Sequence, residues 1–303
     1  MSAEGARTLA LHERTIGGQS WAGPLRGLWR FARRKPLGFL GLVLVAVFIA
    51  AAVFAPLIAP YDYKQQQLRR RLEPPSREHI LGTDSIGRDV FSRLVYGARV
   101  SVTVGFGAVL ITGALASTIG IVSGYFGGWF DKVVQRIVEI WQALPGLIVL
   151  ITILGIFGSG LVPMILAIGI VGAGGASRIY RSTVMSLREN TYVLGARSLG
   201  ATDQRILLVH ILPNVAPLIL VLATVGLGGV ILAESSLSFL GFGLPPPAPS
   251  WGQMLSIEGR EYMRTAPGLA VFPGVAIGLA VFGFNVLGDA LRDVLDPRLR
   301  GGR

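Results

Sequence analysis

Five arginines, Arg178, Arg181, Arg188, Arg197 and Arg205, lie between Ser177 and Asn214, in a polar interruption flanked by two hydrophobic spans. Guanidinium groups are forked donors that can hold phospholipid phosphates or the carboxylates of a soluble partner. Within the stretch, Glu189 to Leu199 can form one helix. Gly200 supplies the backbone freedom of a sharp turn, and Thr202 or Asp203 can cap a second helix. That second helix carries Ile206, Leu207, Val209 and His210 back to the membrane at Pro213. The pattern fits a helical hairpin lying on headgroups as well as a knob gripped by a soluble motor. So ordered a loop is expected to dock a partner.

Few other residues invite chemistry. Glu234, in VILAESSLSFLG near the outer end of a span, either faces a translocation path or is satisfied by Ser235, Ser236 or a neighbouring helix. Glu139 is placed to pair with Arg136 at i−3. Pro145 and Pro217 fall early in two spans and allow kinks there. The chain has no cysteine, which excludes disulfides, thiol nucleophiles and thiolate metal sites. His12, His79 and His210 are far apart in sequence, so a histidine metal site is not expected. There is no phosphate-cradling GxxxxGK[ST] loop and no GxSxG or HExxH pattern. The chain does not read as an enzyme, and no cofactor is expected in it.

The elements that position these residues are membrane helices. The chain is 51% hydrophobic but only 15% charged, against about 25% charged in soluble domains. Its mean hydropathy is +0.60, and its apolar residues come in runs of about 20, the length that crosses a bilayer. The net charge of +11 is therefore assigned to loops and anionic lipid rather than to nucleic acid. Six spans are predicted: 37–59, 100–123, 133–157, 162–176, 215–237 and 269–287. The organisation is a cytoplasmic tail over 1–36, in which 24–35 forms a short interfacial helix or a loose basic tail. A first helix and outer loop follow over 37–99, then a five-helix core over 100–290 containing the loop 177–213, and a cytoplasmic tail over 291–303. Gly105, Gly113, Gly120 and Gly124 are spaced for close helix contact. With both termini inside, inner segments hold 18 of the 28 Lys and Arg, which favours that orientation although the first outer loop is basic.

Several motifs then resemble one family. GARSLGATDQRILLVHILPN resembles the EAA loop of ABC-importer permeases, with Ala196 at the second alanine, Gly200 at the glycine, and Ile211 and Pro213 in the closing I-x-L-P. Leu194 stands where that family has Glu, and Gly195 where it has the first Ala. KPLGFLGL, LGTDSIGRDVFSRLVYGARVSV, SGYFGGWFD, LSFLGFGLPPPAPSWGQML and FNVLGDALRDVLDPRLR extend the likeness over almost the whole chain. They resemble the second, C-type permease subunit of dipeptide and oligopeptide ABC importers; nickel importers have closely similar subunits.

The resemblance implies a type I importer permease fold with N-in, C-in topology and a chain that forms half of a translocation path. It implies a homologous permease as partner, two cytoplasmic ATPases carrying ATP and magnesium, and an extracytoplasmic peptide-binding protein. Its coupling loop would comprise Leu194, Gly195, Ala196, Arg197, Gly200, Ala201, Asp203, Ile211 and Pro213; the polar contact that Leu194 cannot make would come either from the partner permease or from Arg197 and Asp203 here. An ATPase-independent secondary transporter would be expected to show an inverted repeat and more intramembrane charge, and neither is found.

Overall fold

The computed structural model describes residues 31–33 and 35–295. The predicted interfacial helix over 24–35 and the tails beyond fall largely outside these. The described residues are helical, with one isolated bridge between Thr83 and Asp89. Helix α1 is Pro36–Val53 and α2 is Ala55–Ile58. A 3-10 turn at Leu68–Arg70 precedes α3, Val90–Phe126. Then come α4, Gly128–Ala143, α5, Gly146–Phe157, and α6, Leu161–Arg188. The short α7, Thr191–Ser198, leads to α8, Asp203–Arg205, a π segment Ile206–Ile211, and α9, Leu212–Phe239. Helix α10, Trp251–Met254, a second π segment Leu255–Gly259, and α11, Gly268–Leu295, complete the chain.

Five helices are long and apolar enough to span a membrane, and a sixth span exists if α4 and α5 are taken together. The third predicted span is thus not straight: its halves meet at 85°. Pro145 explains the break, because a residue before proline is driven out of the helical region, and Leu144 is extended at ψ 135°. Other boundaries also move. The fourth span runs on to Arg188 instead of stopping at Ala176, the second begins at Val90, and the sixth reaches Leu295.

Helix α3 starts on a real cap: the Asp89 carboxylate accepts from Ser92 N at 2.7 Å. It packs along α6, where Gly120 lies on the Ser177 carbonyl and a methyl group at Gly124 would stand 2.8 Å from the Arg181 carbonyl. The predicted glycine seam is real at these two positions. At Gly113 nothing lies within 4 Å of an added methyl group.

At the N-terminal end of α3, Phe48 of α1 packs edge-on to Phe284 of α11 and against Trp251, whose indole donates to the Leu94 carbonyl at 2.8 Å. A buried ionic frame ties this end together. The Arg88 guanidinium donates to Asp84 at 2.5 Å and to Glu258 at 2.7 Å, and His79 meets Asp89 at 2.9 Å. At the opposite end of α3, Tyr125, Tyr180, Val184, Val193, Ile206, Ile211 and Val215 form a separate apolar cluster. That cluster carries the arginine-rich segment.

Candidate functional site

Most of the predicted loop is not a loop. Arg178, Arg181 and Arg188 stand on the last turns of α6, and the segment after Gly200 is the beginning of one long helix from Asp203 to Phe239. Only α7 and its two connections are separate. Pro213, expected where a short second helix returns to the membrane, lies inside this continuous helix. A proline clashes with the carbonyl four residues back. The π segment immediately before it, in which Leu212 N donates to Leu207 O, widens the turn so that the helix passes through.

Gly200 does what its type implies. It adopts φ +82°, a left-handed conformation that costs an L-residue about 1–2 kcal/mol. Ala201 N donates to Ala196 O at 3.0 Å and Gly200 N to Arg197 O at 3.0 Å, the paired bonds of a glycine-terminated helix. Thr202 then caps α8 by accepting from Arg205 N at 3.4 Å. Ala196 and Ala201 thus serve through their backbone.

The turn is bolted to α3 through Tyr125. Its hydroxyl donates to Asp203 at 2.6 Å and accepts from Arg197 at 3.1 Å, and the Arg197 guanidinium lies 5.5 Å from the ring centroid. The hydrogen bond to Tyr125 holds Arg197 above the ordinary guanidinium range. Arg197 and Asp203, one of the two expected sources of polar contact with a partner, are both held by Tyr125 within the chain while remaining exposed. Arg188 donates to the carbonyls of Gly124 and Tyr125 at 3.1 and 3.3 Å. Arg181 makes a two-pronged pair with Asp131 of α4. The arginines brace the ends of α3, α4 and α6.

Beside the exposed Arg197, Ser198, Gln204 and Arg205, three large apolar side chains also face outward. Leu199 is 90% exposed, and Leu194 and Tyr192 are each near 45%. Gly195 is exposed with no atom within 4 Å of an added methyl group. Val193, Ile206 and Ile211 are fully buried on the opposite side. Ile211 belongs to the support, not to the exposed surface. Helix α7 is thus a rigid knob with a greasy tip.

Tyr125 and Asp131 were missed in the sequence. The signal for them was the motif SGYFGGWFD, quoted above only for its family likeness; its glycines Gly127 and Gly128 take φ +64° and +60°.

Glu234 is placed as a structural group. It is fully buried and accepts from Ser238 at 2.8 Å, from Ser101 of α3 at 3.1 Å and from Ser235 at 3.4 Å. Ser236 turns back to the Leu232 carbonyl instead. Its neighbours Val230 and Ala233, not Glu234 itself, line an apolar groove of about 420 Å³ between α3, α5, α6 and α9, with Thr112, Gly113, Gly226 and Gly229. Glu139 pairs with Arg136 at 2.8 Å as expected. No group of three or more potential metal ligands occurs among the described residues.

Comparison with known proteins places this geometry. Residues 116–301 match the family described as binding-protein-dependent transport system inner membrane component, and residues 23–75 match the N-terminal TM domain of oligopeptide transport permease C. The chain is 43% identical over 279 residues to the dipeptide transport system permease protein DppC of Alkalihalophilus pseudofirmus, covering 91% of each chain. It is 41% identical over 279 residues to the glutathione transport system permease protein GsiD of Escherichia coli, covering 92% of each. A solved structure of the MetNI methionine ABC transporter, in inward-facing conformations, shares the fold with a TM-score of 0.55 at 18% identity, over 67% of this chain and 96% of that one.

Proposed function

The chain belongs to the family of binding-protein-dependent transport system inner membrane components, and from that premise we propose that it is the C-type permease subunit of an ATP-driven importer of dipeptides or oligopeptides. It is a multi-pass membrane protein. Kinship with permeases named for dipeptide and glutathione transport supports a peptide cargo.

The observation that carries the mechanism is the exposed apolar tip of α7, with Leu194 and Leu199 outward on a support fixed by Tyr125, Arg197 and Asp203. Such a knob suits a cleft on a cytoplasmic ATPase. Since α7 sits between the ends of α6 and the Asp203–Phe239 helix, displacement of the knob levers both helices that line the groove. The groove would be this chain's share of the path, completed by a homologous permease. ATP and magnesium would be bound by the ATPases, and an extracytoplasmic binding protein would deliver the cargo. Both termini would be cytoplasmic.

The test is reconstitution with a second permease, two ATPases and a binding protein in vesicles. ATP-dependent accumulation of peptide supports the reading; accumulation without ATPase subunits would overturn it.

A further inference from the structure

Three arginines lie on or just before the first turns of α3, and one of them has no counter-charge. Arg88 and Arg93 are buried and face Asp84, with Arg88 also held by Glu258. Arg99 is exposed and, among the described residues, makes no hydrogen bond or ion pair through its side chain. It is also the last charge on the helix, since Val100 to Phe126 contains none.

Its surroundings are built to receive an anion. Arg99 lines a cavity of about 250 Å³ with Tyr63, Tyr96, Thr103, Leu244 and Pro249. Segments before α3, on α3 and after α9 converge on the cavity, one side of which Arg99 leaves exposed. Tyr63 and Tyr96 pack at 4.6 Å as one wall, and the Lys64 ammonium lies 5.5 Å from the Tyr63 centroid. Neither tyrosine hydroxyl is hydrogen-bonded among the described residues, and no carboxylate lines the cavity. Thr103 donates to the Arg99 carbonyl at 2.8 Å, which fixes the turn beneath it. At 100° per residue, Gly113 returns to within about 40° of the Arg99 face, roughly 20 Å further along the helix. Gly113 lines the apolar groove. Arg99 thus lies on the helix that forms one wall of the groove, about 20 Å nearer the end remote from α7.

We propose that Arg99, with the hydroxyls of Tyr63 and Tyr96, receives the C-terminal carboxylate of a peptide as it enters the path. The inference rests on the peptide-importer reading. Guanidinium and carboxylate are matched in charge and fork geometry, and the groove beyond offers no competing cation.

The test uses the assembled importer in phosphatidylcholine vesicles with saturating binding protein and ATP. Uptake of a mixed dipeptide library and of the same library as C-terminal amides is read by mass spectrometry. Because the binding protein is the same throughout, its own preferences cancel when each variant is divided by wild type. Arg99→Gln is expected to lower uptake of free-acid peptides about ten-fold, the worth of a hydrogen bond to a charged group, and to leave the amides unchanged. Arg99→Lys is expected to retain most free-acid uptake. An equal loss of acids and amides would overturn the assignment while the importer reading stands. So would a loss that appears only when phosphatidylglycerol is added, which would make Arg99 a headgroup contact. A wild-type complex that takes up neither library would remove the importer reading and this assignment with it.

Discussion

Tyr125, at the last turn of α3, donates its hydroxyl to Asp203 at 2.6 Å, linking two helices whose residues are separated by 78 positions. The same oxygen accepts from Arg197. One phenol thus fixes both sides of the Gly200 turn. Tyr125→Phe removes both bonds while keeping the ring in its apolar cluster. Hydrogen bonds to charged groups contribute about 1.5–3 kcal/mol. The variant is expected to assemble with its ATPases but to move several-fold less peptide per ATP hydrolysed, measured as the uptake to hydrolysis ratio. An unchanged ratio would show that the Tyr125 link is dispensable for transmission.

Gly200 is the pivot on conformational grounds alone, since φ +82° is strained for any side chain and no neighbour crowds it. Gly200→Ala should cost about 1–2 kcal/mol locally, and Gly200→Val more, because a branched Cβ fits this region worst. Uptake is expected to fall in that order while the complex still copurifies. Wild-type uptake by Gly200→Val would remove the pivot. By contrast, Gly195→Ala should be tolerated: it sits inside α7 in open space and gains about 1 kcal/mol of helix propensity.

Glu234 is expected to matter for assembly and not for cargo. Glu234→Ala strips a shared acceptor from Ser101, Ser235 and Ser238, and a buried polar group left unpaired costs about 1–3 kcal/mol. The yield of folded subunit should fall, while the ranking of peptides transported stays as in wild type. A changed ranking with normal yield would return Glu234 to the translocation path.

The Arg181–Asp131 pair joins α6 to α4, with Asp131 nearly buried. Removing one partner should cost more than removing both, because a buried charge is then left alone. Thermal unfolding of Asp131→Asn, Arg181→Met and the double variant in detergent checks this. Strict additivity of the two losses would argue against the coupling.

Five straight spans, the Gly200 turn and the Arg136–Glu139 pair were legible because each rests on neighbours in sequence, and the close contact at Gly120 and Gly124 because small residues at helical spacing leave room for another helix. Helix ends were not. Arg181 and Arg188 read as loop residues since their partners, Asp131 and the carbonyls of Gly124 and Tyr125, lie on other helices. The same holds for Arg197 and Asp203, whose polarity is used inside the chain by a tyrosine that sequence spacing does not point to. Pro213 reads as the boundary between a short helix and the membrane because the π segment that carries the helix through it leaves no local signature. Leu194, which stands in the place of an acid, proves to be exposed. Its surface is apolar along with Leu199.

The central claim is that the tip of α7 is covered by an ATPase whose nucleotide state moves it. The chain has no native cysteine, so Leu199→Cys gives a single thiol at the most exposed point of the knob. In the assembled complex this thiol should be shielded from a membrane-impermeant maleimide and should form a cross-link to an ATPase subunit whose yield changes with ATP. A thiol that reacts as freely in the complex as in the isolated subunit, with and without nucleotide, would contradict the account.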